Sequence, residues 1–249
     1  MAKAYMGKIL NVDLSKGTIA EENIPDEIYR QVTSGMGLAA WLLYRRIPRG
    51  ADPLGPDNIL AFMSGMLTGT GAWFSGRWMV AAKSPLTGGW GDANCGGTFA
   101  PAIKRCGYDG ILFRGIAKSP VYLHIADGKA KLKSAKHLWG LDAVEAEKKL
   151  AGELGDQAVR IAVIGPAAEK KSLITGISND RGRYAARSGL GAVMGSKNLK
   201  AVALSGKAKV EAHDPAKMKE LNVKFNKWLK SGSLAQKALT SGVLNVMAK

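Results

Sequence analysis

Apolar and polar residues alternate at the start of the chain, and helical periodicity follows. Residues 8–24 alternate around Ser15-Lys16-Gly17, which is typical of a β-hairpin. A helical pattern begins at Pro25-Asp26, and a second predicted helix covers 37–46 and ends in arginines that complement the helix dipole. This first part of the chain is therefore predicted to combine one hairpin with two helices.

The pattern after residue 50 predicts mainly short strands. Buried or alternating runs predict strands at 59–63, 78–83, 110–114, 121–125, 129–133, 160–164, 172–178 and 201–204. The strand at 129–133 is predicted to meet the two strands before it across Asp127-Gly128, a strong hairpin signal. Helices are predicted at 98–106 and 141–154, the second closed by Gly155. We expect an α+β fold of packed, mainly antiparallel β-sheets with a few helices.

The pattern of apolar and polar residues changes between Lys207 and Asp214, from one typical of strands to one typical of helices. Asp214-Pro215 is a helix start, the predicted helix runs to about Leu229, and a further helical pattern follows residues 231–233. The sequence thus predicts a domain at 1–208, while 209–249 form the beginning of an incomplete helical domain. We expect a longer protein to continue beyond Lys249.

Composition narrows the class of protein. Of 249 residues, 46% are apolar, enough for a substantial core. No run approaches the roughly 20 apolar residues of a membrane span, and the N-terminus lacks a signal-peptide core, so we expect a cytoplasmic protein with no membrane contact. The net charge is +16, but the lysines are scattered, which disfavours nucleic acid as a partner. Nucleic-acid binding is the alternative that predicts steep salt dependence.

Two glycine-rich runs carry the candidate chemistry. The first covers 71–77 and continues through 94–97, and the second covers 179–191. Glycine brings bare N–H groups close to a ligand, and the arginine fork matches phosphate oxygens, so the runs indicate a phosphorylated cofactor held mainly by backbone. Neither run is a mononucleotide loop, and 189–195 misses the dinucleotide fingerprint by one residue. Turn chemistry alone is the alternative interpretation.

Other reactive side chains give no catalytic constellation. The cysteines, Cys95 and Cys106, form no Cys-x-x-Cys pair, so we expect neither a complete metal site nor an iron–sulfur cluster within this chain. Cys95 is predicted to be a small buried residue of a cofactor loop. No histidine converges with a carboxylate in sequence, and the catalytic residues stay unknown. For Trp73, Trp78 and Trp90 a core role is favoured over the shaping of a substrate cavity.

Distinctive residues recur in a fixed order over most of the chain. The segments are 7–17, 52–58, 65–70, 76–77, 83–88, 93–97, 107–109, 164–167 and 191–201. In this order they resemble the N-terminal domain of the tungsten-containing aldehyde ferredoxin oxidoreductase family over Met6–Gly206. So many punctuating residues are far more specific than a single glycine motif.

The resemblance implies a base domain on which a tungsten (or molybdenum) bis-pterin cofactor lies. It also implies an enzyme that oxidises an aldehyde to a carboxylic acid and passes electrons through a [4Fe-4S] cluster to ferredoxin. The cluster cysteines would lie in later helical domains or in a partner, so residues 1–249 alone should be inactive. Alternatives are a family member acting on another substrate, such as an aromatic thioester, and a stand-alone cofactor-binding subunit within a homo- or hetero-oligomer.

The resemblance also implies a set of cofactor-binding residues. They are Arg77, Asn94, Gly96, Arg183, Tyr184, Ala186 and Arg187. Main-chain carbonyls of Asn94 and Tyr184 would hold a magnesium ion between the pterin phosphates, and Mg²⁺ prefers oxygen ligands. Relatives often have Arg-Ala-Ala-Gly-Arg-Gly-Gly where this chain has Arg-Tyr-Ala-Ala-Arg-Ser-Gly at 183–189. Ala186 thus replaces a glycine, and a positive φ there would cost about 1 kcal/mol or more.

Overall fold

The computed structural model describes residues 4–126 and 128–232. Within these ranges the strands are β1 (Lys8–Asp13), β2 (Thr18–Asn23), β3 (Leu60–Ser64), β4 (Trp78–Lys83), β5 (Trp90–Cys95), β6 (Gly110–Arg114), β7 (Val121–Ala126), β8 (Lys129–Ser134), β9 (Arg160–Val163), β10 (Ile177–Asn179), β11 (Arg183–Ala185) and β12 (Leu199–Leu204). The α-helices are α1 (Asp26–Val32), α2 (Met36–Arg46), α3 (Phe99–Arg105), α4 (Ala143–Leu154), α5 (Pro166–Glu169), α6 (Leu190–Ser196) and α7 (Pro215–Ser231), and a short 3-10 helix covers Lys136–Leu138. The helical pattern predicted after residues 231–233 lies outside the described residues.

The strands form two six-stranded sheets. The first sheet has the order β2-β1-β6-β3-β4-β5, and the second has the order β11-β10-β9-β12-β7-β8. Within the described residues β1 pairs with β6 and β7 with β12 in parallel, and the other neighbours are antiparallel. The predicted α+β fold of packed, mainly antiparallel sheets is confirmed. β5 and β11 are edge strands, one in each sheet.

The largest apolar core lies between the two sheets. It includes Leu10 and Phe62 from the first sheet, Val202 from the second, and residues of α3 and α6. Strand alternation sends successive side chains to opposite faces, so Ile9 instead faces the outer core formed with α1 and α2. On the second sheet the outer face packs against α4. Each fully buried large apolar side chain contributes about 1.5–3 kcal/mol to this packing.

Several predicted elements differ from the observed ones. The strand predicted at 172–178 is wrong: residues 172–175 lie in a turn region, Ile174 is 81% exposed, and β10 begins only at Ile177. Residues 110–114 form a strand, but β6 pairs with β1 and β3 and not with the β7–β8 hairpin. The pairing of β7 with β8 is confirmed.

Helix α7 packs against the first glycine-rich run. Asn222 Nδ2 donates to the carbonyl of Gly71 at 2.9 Å, and the ring of Phe225 lies 5.6 Å from that of Phe74.

Trp78 is buried in the main core, whereas Trp73 and Trp90 are 46% and 43% exposed. The predicted core role is therefore wrong for these two tryptophans.

Buried lysines connect distant segments. Lys104 Nζ lies 3.2 Å from Asp109 Oδ1, and both side chains are fully buried. Lys197 is also fully buried, but its Nζ donates to the main-chain carbonyls of Asn58 at 2.6 Å and Gly115 at 3.2 Å. Burial lowers the pKa of Lys197 to about 8.

None of the helices in the described ranges has the length and apolar character needed to cross a membrane.

Candidate functional site

Arg77 and Asn94 meet at the edge of the first sheet. Arg77 Nε donates to Asn94 Oδ1 at 2.6 Å, and Arg77 Nη2 donates to the Asn94 carbonyl at 3.3 Å. In β5 the alternation buries Ala93 and Cys95 and exposes Asn94, so this contact forms on the solvent side of the sheet. The Asn94 amide thereby fixes the orientation of the guanidinium.

Arg183 reaches the same place from the second sheet. It lies on β11, and its Nη1 is 3.8 Å from the position that a Cβ on Gly96 would take. Arg77 Nη1 is 3.7 Å from the same position. Two guanidinium groups, one from the residue before β4 and one from β11, thus converge over a residue that has no side chain. We call Arg77, Asn94, Gly96 and Arg183 the arginine platform.

The other predicted cofactor residues follow Arg183 along the chain. Tyr184 pairs with Ser178 across the β10–β11 ladder, and the side chains of Tyr184, Ala186 and Arg187 are exposed. In the described part of the chain, none of these three side chains hydrogen-bonds to the arginine platform. The structure brings the four platform residues together and leaves these three beside it, on the outward part of the second loop.

The strained backbone of the second loop lies after Ala186. The φ of Ala186 is not positive, whereas Arg187 has φ 132° and Ser188 has φ 56°. The backbone strain expected at Ala186 is therefore absent. The next two residues, Arg187 and Ser188, adopt the positive φ values instead. The Ser84 hydroxyl donates to the Ser188 carbonyl at 2.8 Å and ties this turn to the first sheet.

The platform is electropositive. Burial raises the pKa of the Cys95 thiol, and the charges of Arg77 and Arg183 oppose that rise, so both guanidiniums act on the end of β5. The predicted burial of Cys95 in the core is confirmed, but Cys95 is the last residue of β5 and not part of a loop. Arg183 forms no ion pair with any carboxylate of the described residues, although Asp180 is close by.

The residues present fit an anionic, phosphate-bearing cofactor. Two exposed guanidiniums offer forked donors for phosphate oxygens, and Gly96 leaves the backbone accessible. The Asn94 carbonyl accepts one hydrogen bond from Arg77 and keeps a second lone pair for a cation. The donor set therefore suits a phosphate group with a hard metal ion beside it.

A cleft of about 780 Å³ adjoins the platform. Its lining includes Thr98, Lys148, Arg160 and Arg183. Glu147 of α4 accepts the main-chain N–H of Arg181 at 3.0 Å across the cleft, and burial raises the pKa of that carboxyl. The cleft runs from the platform along α4, and its lining combines charged side chains with apolar ones such as Ala151 and Ile161.

Thr98, Asn179 and Asp180 join the two loops, and none of the three is among the predicted cofactor residues. Asn179 and Asp180 open the second glycine-rich run, and they bond to the Gly96 carbonyl and to Thr98. Asparagine and aspartate before a glycine indicate a turn, but they do not indicate which distant segment they bind. Over residues 4–126 and 128–232, His, Cys, Asp and Glu side chains form no group of three suited to a metal ion.

Two packed, mainly antiparallel sheets with two exposed arginines beside Gly96 define this α+β domain. The family described as "Aldehyde ferredoxin oxidoreductase, N-terminal domain" matches residues 9–206. The chain belongs to this family.

Named relatives with similar sequences support the same family. A "Tungsten-containing aldehyde ferredoxin oxidoreductase" of Pyrococcus abyssi is 44% identical over 217 residues, which cover 87% of this chain and 36% of the relative. An "Aliphatic sulfonate oxidoreductase, WOR-like subunit" of Pyrococcus furiosus is 33% identical, over 91% of this chain and 38% of the relative. This chain thus spans little more than a third of the length of these relatives.

A solved structure shares the fold. It is the "Active site complex BamBC of Benzoyl Coenzyme A reductase in complex with 1,5 Dienoyl-CoA", with a TM-score of 0.90 and 35% identity. The match covers 93% of this chain and 35% of that chain. These relatives are oxidoreductases, and the tungsten-containing family implies a tungsten–pterin cofactor.

Proposed function

We propose that this chain is the cofactor-binding base of a tungsten (or molybdenum) bis-pterin oxidoreductase that converts an aldehyde to a carboxylic acid. The observation that carries the proposal is the convergence of Arg77 and Arg183 over Gly96. Neutral turn chemistry does not call for two exposed guanidiniums at one point, because like charges repel unless an anion lies between them.

Each site residue has a role in this proposal. Arg77 and Arg183 donate to the phosphates or the pterin edge, and Gly96 lets the cofactor approach the main chain. Tyr184, Ala186 and Arg187 continue the binding surface along the second loop. The carbonyls of Asn94 and Tyr184 would hold the magnesium ion. When bound, the cofactor supplies the two-electron chemistry, while the protein orients it and tunes its electronics.

The remaining parts of the reaction require more polypeptide than this chain. We place the cofactor-binding domain at 1–208 and the beginning of a helical domain at 209–249. Further domains or a partner subunit would supply the [4Fe-4S] cluster and pass electrons to ferredoxin. The 249-residue polypeptide alone is then expected to show no aldehyde oxidation in a dye-reduction assay.

A second candidate substrate is an aromatic thioester. The structural match to a benzoyl-coenzyme A reductase complex favours this alternative, and that complex and the "WOR-like subunit" also favour a hetero-oligomer. Parallel assays of aldehyde oxidation and of aryl-thioester reduction on the native protein discriminate the two substrates.

The test of cofactor binding is the metal and pterin content of the native protein. Wild type should carry tungsten or molybdenum together with fluorescent pterin after release. Arg77→Ala and Arg183→Ala should each lower occupancy, because the loss of a charge-assisted bond to phosphate weakens the affinity for the cofactor about tenfold. Arg30→Ala, an exposed arginine of α1, is the matched control and should retain full occupancy. A wild-type protein without metal and pterin would refute the proposed function.

A further inference from the structure

Asn179 joins the second sheet to the first beneath the arginine platform. Its side chain is fully buried. The Nδ2 group donates to the Gly96 carbonyl at 3.2 Å, and Oδ1 accepts from Trp78 Nε1 at 3.2 Å. One amide therefore connects the end of β10 with the residue over which the two guanidiniums converge.

Asp180 makes a second connection beside it. Its two carboxylate oxygens accept the main-chain N–H and the hydroxyl of Thr98, each at 2.6 Å. A carboxylate matches these two donors, since it offers acceptors only. We call the set of Asn179, Asp180, Gly96 and Thr98 the inter-sheet clamp.

The clamp separates the charges around Arg183. Carboxylate and guanidinium pair readily when they are close, and such a pair would consume the donors that an anionic ligand needs. Asp180 accepts both donors of Thr98 and, through Oδ2, also Asn179 Nδ2 at 3.1 Å, so three neutral donors engage its carboxylate. Among the described residues Arg183 has no carboxylate partner. The clamp thus holds the two loops in register and leaves the guanidinium of Arg183 available.

We propose that Asn179, Asp180 and Thr98 are positioning residues of the cofactor site. They set the spacing of Arg77 and Arg183 over Gly96 and keep Asp180 from pairing with Arg183. This inference deepens the proposed function and rests on it for the identity of the anion. The residues act through the arginines and need no contact with the ligand.

Two substitutions test the geometry without changing the net charge. Thr98→Val removes the hydroxyl from Asp180, and Asn179→Ala removes the bond to Gly96. Thr98→Ser keeps the hydroxyl and should therefore retain the pterin release rate and the pyrophosphate affinity of wild type. Thr70→Val is the matched control, because the Thr70 hydroxyl donates to a main-chain carbonyl, that of Leu67, outside the clamp.

The readouts are pterin release from the native protein and binding of inorganic pyrophosphate to its cofactor-free form. Thr98→Val and Asn179→Ala should each release pterin about tenfold faster and bind pyrophosphate about tenfold more weakly, as is typical when a supporting shell is removed. Thr98→Ser and Thr70→Val should match wild type. Thr98 is exposed, so Thr98→Val keeps the test valid where Asn179→Ala fails to fold.

The outcomes separate this inference from the proposed function. Absence of pterin from wild type refutes the proposed function, and the pyrophosphate measurement then decides the inference alone. Equal pyrophosphate affinity in wild type and Thr98→Val, or no measurable binding by wild type, overturns it. A loss of melting temperature with unchanged release and affinity shows a merely structural role and also overturns it.

Discussion

Gly97 of the first glycine-rich run lies against Asn179 and Asp180 of the second. Its φ is +113°, and a Cβ there would overlap with Asp180 Oδ2 and lie 2.9 Å from Asn179 Nδ2. Gly97→Ala therefore combines backbone strain with a clash, and we expect it to lower the free energy of unfolding by about 3 kcal/mol. Chemical denaturation measures this loss.

Gly182 provides the control for this substitution. Its φ is +123°, but nothing lies within 4 Å of the position of its Cβ. Gly182→Ala should cost only the backbone strain, about 1–2 kcal/mol. Equal losses at the two positions would show that the contact with Asp180 is not tight in solution.

Some residues of the site could be predicted from the sequence, and others could not. Arg77 and Arg183 stand beside glycines, and turn formation gives no reason for an arginine there, so both could be identified as ligand-binding candidates. The pairing of Thr98 with Asp180 spans 82 positions and leaves no local pattern. Its geometry exists only after the two sheets pack.

Helix α6 depends on glycine for its packing. A Cβ on Gly195 would overlap with the Ala168 carbonyl of α5, so the two helices touch through their backbones. Alanine has the higher helix propensity by about 1 kcal/mol, yet we expect Gly195→Ala to destabilise the protein by more than about 2 kcal/mol, because the clash outweighs the propensity. Thermal and denaturant unfolding measure the change.

The matched substitution lies in α4. Gly152 has nothing within 4 Å of its Cβ position, so Gly152→Ala should stabilise the protein by up to about 1 kcal/mol. If Gly195→Ala and Gly152→Ala changed the free energy of unfolding in the same direction, the close contact between α5 and α6 would be disproved.

Elements with strong periodicity could be predicted, and elements rich in glycine could not. The β1–β2 hairpin, α2 and α4 follow their patterns closely. β5 was missed because its strand lies in the glycine-rich stretch 88–97, and β11 because three residues are too short for a period. At 172–178 the apolar pair Leu173-Ile174 suggested a buried strand, but it lies in an exposed turn.

The buried amine of Lys197 makes the stability of the molecule depend on pH. Its folded pKa of about 8 lies below the ordinary 10.5, mainly through burial and secondarily through Arg114. Between these values the unfolded state binds the proton more tightly, so stability rises with pH. Below pH 8 the buried amine is protonated in the folded state, and this charge lowers the free energy of unfolding by about 3 kcal/mol.

Replacement of this lysine should remove that part of the pH dependence. We expect the free energy of unfolding of Lys197→Met to rise less steeply than that of wild type between pH 8 and 10.5. Lys16→Met, at an exposed turn, should follow the wild-type curve. Parallel curves for Lys197→Met and wild type would mean that the amine titrates normally in the folded protein.

Arg77 directly precedes β4 of the first sheet and Arg183 lies on β11 of the second, so an anion that binds both would also cross-link the two sheets. Occupancy and heat resistance are then coupled by mass action, and each tenfold excess of ligand over its dissociation constant adds about 1.4 kcal/mol to the folded state. In a cell short of that ligand, the protein would unfold and be degraded more readily. Cofactor supply would then set the abundance of the protein as well as its activity.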